Sequence, residues 1–255
     1  MPSIDLNADL GESFGPWRMG NDEAILEVIS SANIACGFHA SDPLEMRKVV
    51  RLAKKNDVGI GAHPGFADLQ GVGRRRILGI PDDELQAMIV YQIGALQAIA
   101  AMENARVRHI KIHGALNNMA SEDYSIAEPC LAAIKMLPDD LITLVLPRTD
   151  LERAGHELQM PVAAEVFADR AYNDDGTLVH RGQPGAMIHD ASEASDNILA
   201  MIENQEITSI NGKKIPVKPE TVCVHGDGPE AVQTATALRR KLEDAGITIR
   251  RFGAG

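Results

Sequence analysis

The stretch Ile4-Asp-Leu-Asn-Ala-Asp-Leu-Gly-Glu-Ser-Phe-Gly15 begins as a strand and ends in acids, an amide and glycines. Ile4 and Leu6 alternate with polar neighbours. Asn7, Asp9 and Glu12 then follow closely, and Gly11 and Gly15 loosen the backbone around them. Polar groups at the C-terminal end of a strand are where parallel α/β proteins place their ligands. The fold therefore turns on whether later strands finish the same way.

Working outward, they do. Ala32-Asn-Ile-Ala-Cys-Gly-Phe-His39, Val58-Gly-Ile-Gly-Ala-His63 and Arg108-His-Ile-Lys-Ile-His113 each close on a histidine, and Thr221-Val-Cys-Val-His225 delivers His225, Gly226 and Asp227. Pro161-Val-Ala-Ala-Glu-Val-Phe-Ala-Asp-Arg-Ala-Tyr172 carries Glu165 inside a strand, where a buried carboxylate needs a partner, and Arg170 is the nearby candidate. Leu141-Ile-Thr-Leu-Val-Leu-Pro147 is almost wholly apolar, as expected of a strand covered on both faces, and ends without an acid or base.

Helical patterns alternate with these strands. Asp42, Pro43 and Glu45 read as an N-cap, a first-turn proline and a capping-box acid, opening a helix to about residue 56. From 82 to about 103, Leu85, Met88, Ile89, Ile93, Leu96 and Ile99 form one core stripe. The last helix runs from Pro229 through Val232, Leu238 and Leu242 to Gly246, and Ile247-Thr-Ile-Arg250 reads as an eighth strand or as a tail over the barrel bottom. Asn117 and Asn118 are expected in a loop. The long segment at about 173–190 reads as a lid, and the stretch at about 206–218 as a hairpin around Asn211-Gly212.

About seven strand-then-helix units in series specify a parallel sheet with right-handed crossovers. Functional-looking groups follow most of these strands, and only a closed ring brings so many strand ends to one mouth. The expected fold is α/β: an irregular seven-stranded (β/α) barrel, TIM-like, as a single domain over residues 1–255.

Composition narrows the function. The apolar fraction of 45% and charged fraction of 24% are those of a globular protein. No apolar run looks long enough to span a membrane, and the Met-Pro-Ser start enters a strand at once, so a cytoplasmic protein without a membrane partner is expected. A net charge of −11 opposes nucleic-acid binding. Three cysteines, with Cys36 and Cys223 inside strands, read as buried thiols rather than disulfides.

Two chemistries suit such a rim. Asp9, His39 and His63 could hold a divalent metal that activates water. Alternatively Asp9, Glu12 or Asp227 move protons while Arg74 and Arg170 hold an anion. The run Asp68-Leu-Gln-Gly-Val-Gly-Arg-Arg-Arg76 supports the anion reading, because guanidiniums offer paired donors to planar anions.

The opening stretch, together with Asn33-Ile-Ala-Cys-Gly-Phe-His39, His63-Pro-Gly, Gly73-Arg-Arg, His113-Gly-Ala-Leu, Glu165-Val-Phe-Ala-Asp-Arg-Ala-Tyr172 and Cys223-Val-His-Gly-Asp227, resembles the LamB/YcsF family, the A subunits of 5-oxoprolinase. The resemblance runs almost end to end. It implies a barrel related to the glycoside hydrolase/deacetylase fold. It also implies ATP-dependent opening of the lactam of 5-oxoproline to glutamate, performed with separate B and C subunits. ATP is then a cosubstrate, with a divalent metal either as its magnesium or at the barrel mouth. The acid–base candidates become Asp9, Glu12, His113, Asp169 and Asp227. The binding candidates become Asn7, Arg74, Arg75, Glu165, Arg170 and His225. No GxxxxGK[ST] loop is present, so a nucleotide site here is not of the P-loop type. Ser41 stands where a glycine is common, and Ile112, Asn117 and Phe66-Ala67 also depart from the family pattern. The other readings are a stand-alone metal-dependent amidohydrolase or deacetylase, and a non-catalytic subunit that binds a small acid.

Overall fold

The two faces of β1 (Ser3–Leu10) carry different chemistry, and this sets the architecture. Even-numbered Ile4, Leu6, Ala8 and Leu10 are buried in the apolar layer shared with the helices. Odd-numbered Asp5, Asn7 and Asp9 hydrogen-bond to side chains of other strands inside the ring. Alternation along a strand puts successive side chains on opposite faces, so a strand that is apolar on one side and polar on the other suits a barrel with a wet or functional lumen. Each fully buried Leu or Ile contributes roughly 1.5–3 kcal/mol.

The computed structural model describes residues 2–224 and 231–252. Along the chain, β1 is followed by α1 (Asp22–Ile25), β2 (Ser31–Ala35), α2 (Pro43–Lys55), β3 (Gly59–His63), α3 (Asp82–Met102) and β4 (Val107–Lys111). Next come α4 (Gly114–Glu122), α5 (Tyr124–Lys135), β5 (Ile142–Val145), α6 (Asp150–Glu157), β6 (Val162–Phe167) and α7 (Ala191–Asn204). An antiparallel hairpin of β7 (Glu206–Thr208) and β8 (Lys214–Pro216) precedes β9 (Thr221–Val224), α8 (Ala231–Asp244) and β10 (Thr248–Ile249).

The parallel order β1-β2-β3-β4-β5-β6-β9 closes because β9 pairs with both β6 and β1. This is the closed seven-strand α/β barrel expected from the repeat. Registers such as Asn7 with Cys223, Asp9 with Asn33, and Glu165 with Thr221 set which side chains meet in the lumen. β10 pairs in parallel with Ser3 and Ile4, below the stretch of β1 that β9 covers. The C-terminal segment is thus a short strand at the barrel bottom, and the Phe252 ring lies 5.8 Å from that of His109.

Asp42 caps α2 by accepting from the Leu44 and Glu45 amides, with Pro43 in the first turn. The Gly15 amide also donates to Asp42 at 2.8 Å, tying the opening loop to this helix, and these bonds hold the Asp42 carboxyl below its ordinary pKa. Two expectations from the sequence need correction. Asn117 and Asn118 lie inside α4, which starts directly after His113. By length and hydropathy α3 is apolar enough to cross a membrane, against the expectation that no run was, but Leu85, Ile89, Ile93 and Leu96 bury its stripe in the helical layer.

Candidate active site

The lumen is built in three polar layers. At the bottom, Asp5 Oδ1 accepts from the hydroxyls of Ser30 (2.8 Å) and Ser31 (2.6 Å), and its Oδ2 from that of Thr221 (2.6 Å). Burial outweighs these bonds and pushes the Asp5 carboxyl up to about 6.

In the middle layer, Asn7 Nδ2 donates to Glu165 Oε1 (3.0 Å) and Thr221 Oγ1 (2.7 Å), while Asn7 Oδ1 accepts from Asn33 Nδ2 (2.7 Å). Asn33 Oδ1 lies 2.9 Å from His109 Nε2. Burial, then the Lys111 charge, lowers the His109 imidazole to about 3. The ring occupies space left by Gly61, where a Cβ would stand 2.0 Å from His109 Nε2.

The top layer opens to solvent. Asp9 Oδ1 accepts from Asn33 Nδ2 (2.9 Å) and Lys111 Nζ (3.1 Å), and Asp9 Oδ2 lies 3.2 Å from His63 Nε2. Lys111 Nζ is also 3.0 Å from Glu165 Oε1, 3.0 Å from Cys223 Sγ and 5.0 Å from the Phe167 ring centre. Burial alone would depress the ammonium. The carboxylates of Asp9 and Glu165, with the Cys223 contact, outweigh it and hold the pKa well above the ordinary lysine value. Burial pushes the Cys223 thiol up, so it stays protonated against that ammonium.

Three imidazoles gather beside Asp9. His63 Nδ1 lies 2.6 Å from the Lys111 carbonyl, His113 Nε2 lies 2.8 Å from the Val72 carbonyl, and His113 Nδ1 faces His63 Nε2 at 2.9 Å. His39 stacks flat on His113, centroids 3.8 Å apart, and stands edge-on to His63. Neither His39 nitrogen has a hydrogen-bond partner among the described residues. Burial, then the neighbouring imidazoles, drives His39 well below its ordinary pKa and His113 down to about 3. Both are therefore neutral at pH 7. The rings fit because Gly73, at φ +65°, bears no Cβ; one would meet His113 Cδ2 at 2.6 Å and His39 Cβ at 2.8 Å.

Above this floor lies a cleft of about 210 Å³ lined by Asp9, His63, Lys111 and His113, with Arg74, Arg76, Arg170 and Arg181 around it. Asn117, Asn118, Thr177, Leu178 and His180 complete the wall. The segment at about 173–190 therefore contributes directly to the cleft, and it is anchored by backbone bonds such as Val179 N to Ala171 O.

The residues expected from the sequence take up several different positions. Asp9, His63, His113, Arg74 and Arg170 reach the cleft. Asn7 and Glu165 lie beneath it as buried supports. Glu165 pairs with Lys111 rather than with the expected Arg170, whose Nη2 donates to the Val179 carbonyl. Arg75 turns away to ion-pair with Asp68, and Arg76 takes a place on the wall. Asp169 follows β6 half-buried, its carbonyl accepting from the Ile188 amide. His225 and Asp227 lie outside the described residues.

The expected ligand trio is split. Asp9 and His63 converge with His113, whereas His39 groups with Glu12 and His113. Lys111, Asn33 and His109 went unremarked in the sequence. The signal was parity: in Arg108-His-Ile-Lys-Ile-His113 the residues 109, 111 and 113 share the lumen face, as 5, 7 and 9 do on β1. Ser41, in the place of a common glycine, has φ 73°, a left-handed conformation that glycine adopts more readily.

A closed parallel barrel with its ionisable groups gathered at the C-terminal mouth defines a TIM-like α/β barrel with its site in the usual place for that class. The chain belongs to the LamB/YcsF family, whose model matches residues 4–254. It is 51% identical over 250 residues to the 5-oxoprolinase A subunit of Nitrobacter hamburgensis, covering 98% of each chain. It is 50% identical over 255 residues to the 5-oxoprolinase A subunit of Rhodopseudomonas palustris strain BisA53, covering 100% of each. The crystal structure of the lactam utilization protein from Thermus thermophilus superposes with a TM-score of 0.92 at 40% identity, over 98% of this chain and 100% of that one.

Proposed function

We propose that this chain is the A subunit of a cytoplasmic ATP-dependent 5-oxoprolinase. It works with B and C subunits to open the lactam of 5-oxo-L-proline, giving L-glutamate, ADP and phosphate. The observation that carries this reading is the meeting of Asp9, His63 and His113 with Lys111, Arg74 and Arg170 at one cleft. The names of the full-length relatives support it.

An amide carbonyl is a poor electrophile. Transfer of a phosphoryl group from magnesium-bound ATP to its oxygen supplies a better leaving group before water attacks. The arginines around the cleft and the Lys111 ammonium suit the substrate carboxylate and the phosphoryl oxygens. Asp9 is the base for water: its Oδ1 is held by Lys111 and Asn33 while Oδ2 faces the imidazoles. Without a P-loop in this chain, the nucleotide is bound on a partner subunit or at the interface shared with one.

The test combines the chain with its partner subunits and follows 5-oxoproline-dependent glutamate and ADP formation. Asp9→Asn should cut turnover by ~10²-fold or more with assembly intact. Absence of turnover by the complete, folded complex overturns the proposal, and unchanged turnover in Asp9→Asn removes Asp9 from the chemistry.

A further inference from the structure

We propose that Asp9, His63 and His113 form a binding site for a divalent transition-metal ion at the floor of the cleft. The argument rests on where the ring protons must be. A carbonyl oxygen only accepts hydrogen bonds. The Lys111 carbonyl, 2.6 Å from His63 Nδ1, accepts a hydrogen bond from that nitrogen. The Val72 carbonyl, 2.8 Å from His113 Nε2, places the proton of that ring on Nε2. The remaining nitrogens, His63 Nε2 and His113 Nδ1, face each other 2.9 Å apart, and Asp9 Oδ2 is 3.2 Å from the first.

Asp9 Oδ2 and these two ring nitrogens converge closely enough for one cation to join them. Their spacing also fits an ion: ligand atoms about 2.0–2.2 Å from a common metal stand about 3 Å from each other. A gap of 2.9 Å between nitrogens leaves no room for a bridging water.

The surroundings are built as a metal site requires. Each imidazole donates its other N–H to a backbone carbonyl, which fixes tautomer and ring angle. Lys111 and Asn33 occupy Asp9 Oδ1 and leave Oδ2 turned to the rings. Two imidazoles and a carboxylate favour zinc, cobalt, manganese or ferrous iron over calcium or magnesium. Three protein ligands beside an open cleft leave positions for an exogenous oxygen ligand. Such an ion would supply Lewis-acid polarisation there. His39 is not in the set, because it lies flat on the face of His113. The site stands whether or not the lactam reaction proposed above is correct; with the ion bound, Asp9 Oδ2 would be a ligand, and the base role given to Asp9 above applies to the ion-free site.

The test uses the full chain, stripped by chelator and titrated with Co²⁺ alone, read by visible absorption and by calorimetry. One equivalent is expected to bind. His63→Ala and Asp9→Asn should each weaken binding by ~10²-fold or more, at or beyond the roughly 10–100-fold that loss of an outer-sphere partner costs. His39→Ala should keep the stoichiometry and the spectrum. If His63→Ala does not fold, ¹⁵N spectra of the unmutated chain decide, because Zn²⁺ should shift His63 Nε2 and His113 Nδ1. Absence of stoichiometric uptake, as a proton shared between the rings would give, overturns the proposal. So does binding indifferent to Asp9→Asn, equal loss in His39→Ala, or unmoved ring nitrogens.

Discussion

Asp5 and Asp9 sit four residues apart on one strand, face one lumen and are both largely screened from water, yet they are solvated in opposite ways. Asp5 is surrounded by hydroxyls from Ser30, Ser31 and Thr221, with no cation among its hydrogen-bond partners in the described residues, and its pKa rises to about 6. Asp9 is set against the Lys111 ammonium, an amide and an imidazole at the edge of a cleft. The bottom of the barrel thus uses neutral dipoles to close and fix the ring. The mouth concentrates charge where a ligand can reach it. Hydroxyls satisfy a carboxylate without creating a reactive environment, whereas cations near a desolvated carboxylate create a strong local field.

The largest effect should come from making the mouth resemble the bottom. Lys111→Met removes the cation shared by Asp9 and Glu165 and leaves two partly or fully buried carboxylates facing each other. Breaking a buried pair this way costs about 3–5 kcal/mol. An unfolding free energy from urea titration lowered by less than a quarter of that would show that Lys111 does not hold the mouth together.

The next effect concerns pH. The folded-state pKa of Asp5 exceeds its unfolded value, so the folded chain holds this proton more tightly. Its stabilisation is fully present below about pH 4 and is lost as pH rises through about 6, a change on the order of 2–3 kcal/mol. In Asp5→Asn that part of the decline should vanish when urea unfolding is compared at pH 4 and 6.5. Asp22, also raised to about 6 by burial, leaves its own decline in both proteins. Identical pH profiles for variant and parent would sink the assignment.

The smallest effect should follow Thr221→Val. This substitution removes the donor to Asp5 and the acceptor for Asn7, costing about 1–2 kcal/mol. Because the Thr221 bond lowers the Asp5 pKa, its loss should also move the pH window upward. A window that stays in place would mean that Thr221 does not stabilise the charged form.

Much of the barrel was legible in linear order. The alternation of Ile4 to Asp9, the wholly apolar 141–147 stretch and the Asp42-Pro43 helix start each carry their own local cause. Part of the site was legible too, because Asp9, His63 and His113 end strands. Attention to strand ends missed the residues one step down, Asn33 and Lys111, although their parity marked them. The partner of Glu165 was misread for a different reason. Arg170 is near in sequence, but beyond β6 the chain turns toward Val179, while Lys111 projects from a strand 54 residues away into the same lumen.

The sequence by itself determined that this chain forms a repeating βα barrel of the LamB/YcsF family and that Asp9, His63 and His113 end strands, since both follow from local periodicity and motif order. Only the tertiary structure decided that the acidic opening stretch meets Lys111 and His63, that His113 rather than His39 joins them, and that Arg75 turns away while Arg76 lines the cleft. The physical reason is ring closure. Lateral neighbours in a barrel are set by the register between strands and by which rings fit beside Gly61 and Gly73, and neither constraint is written in residue spacing.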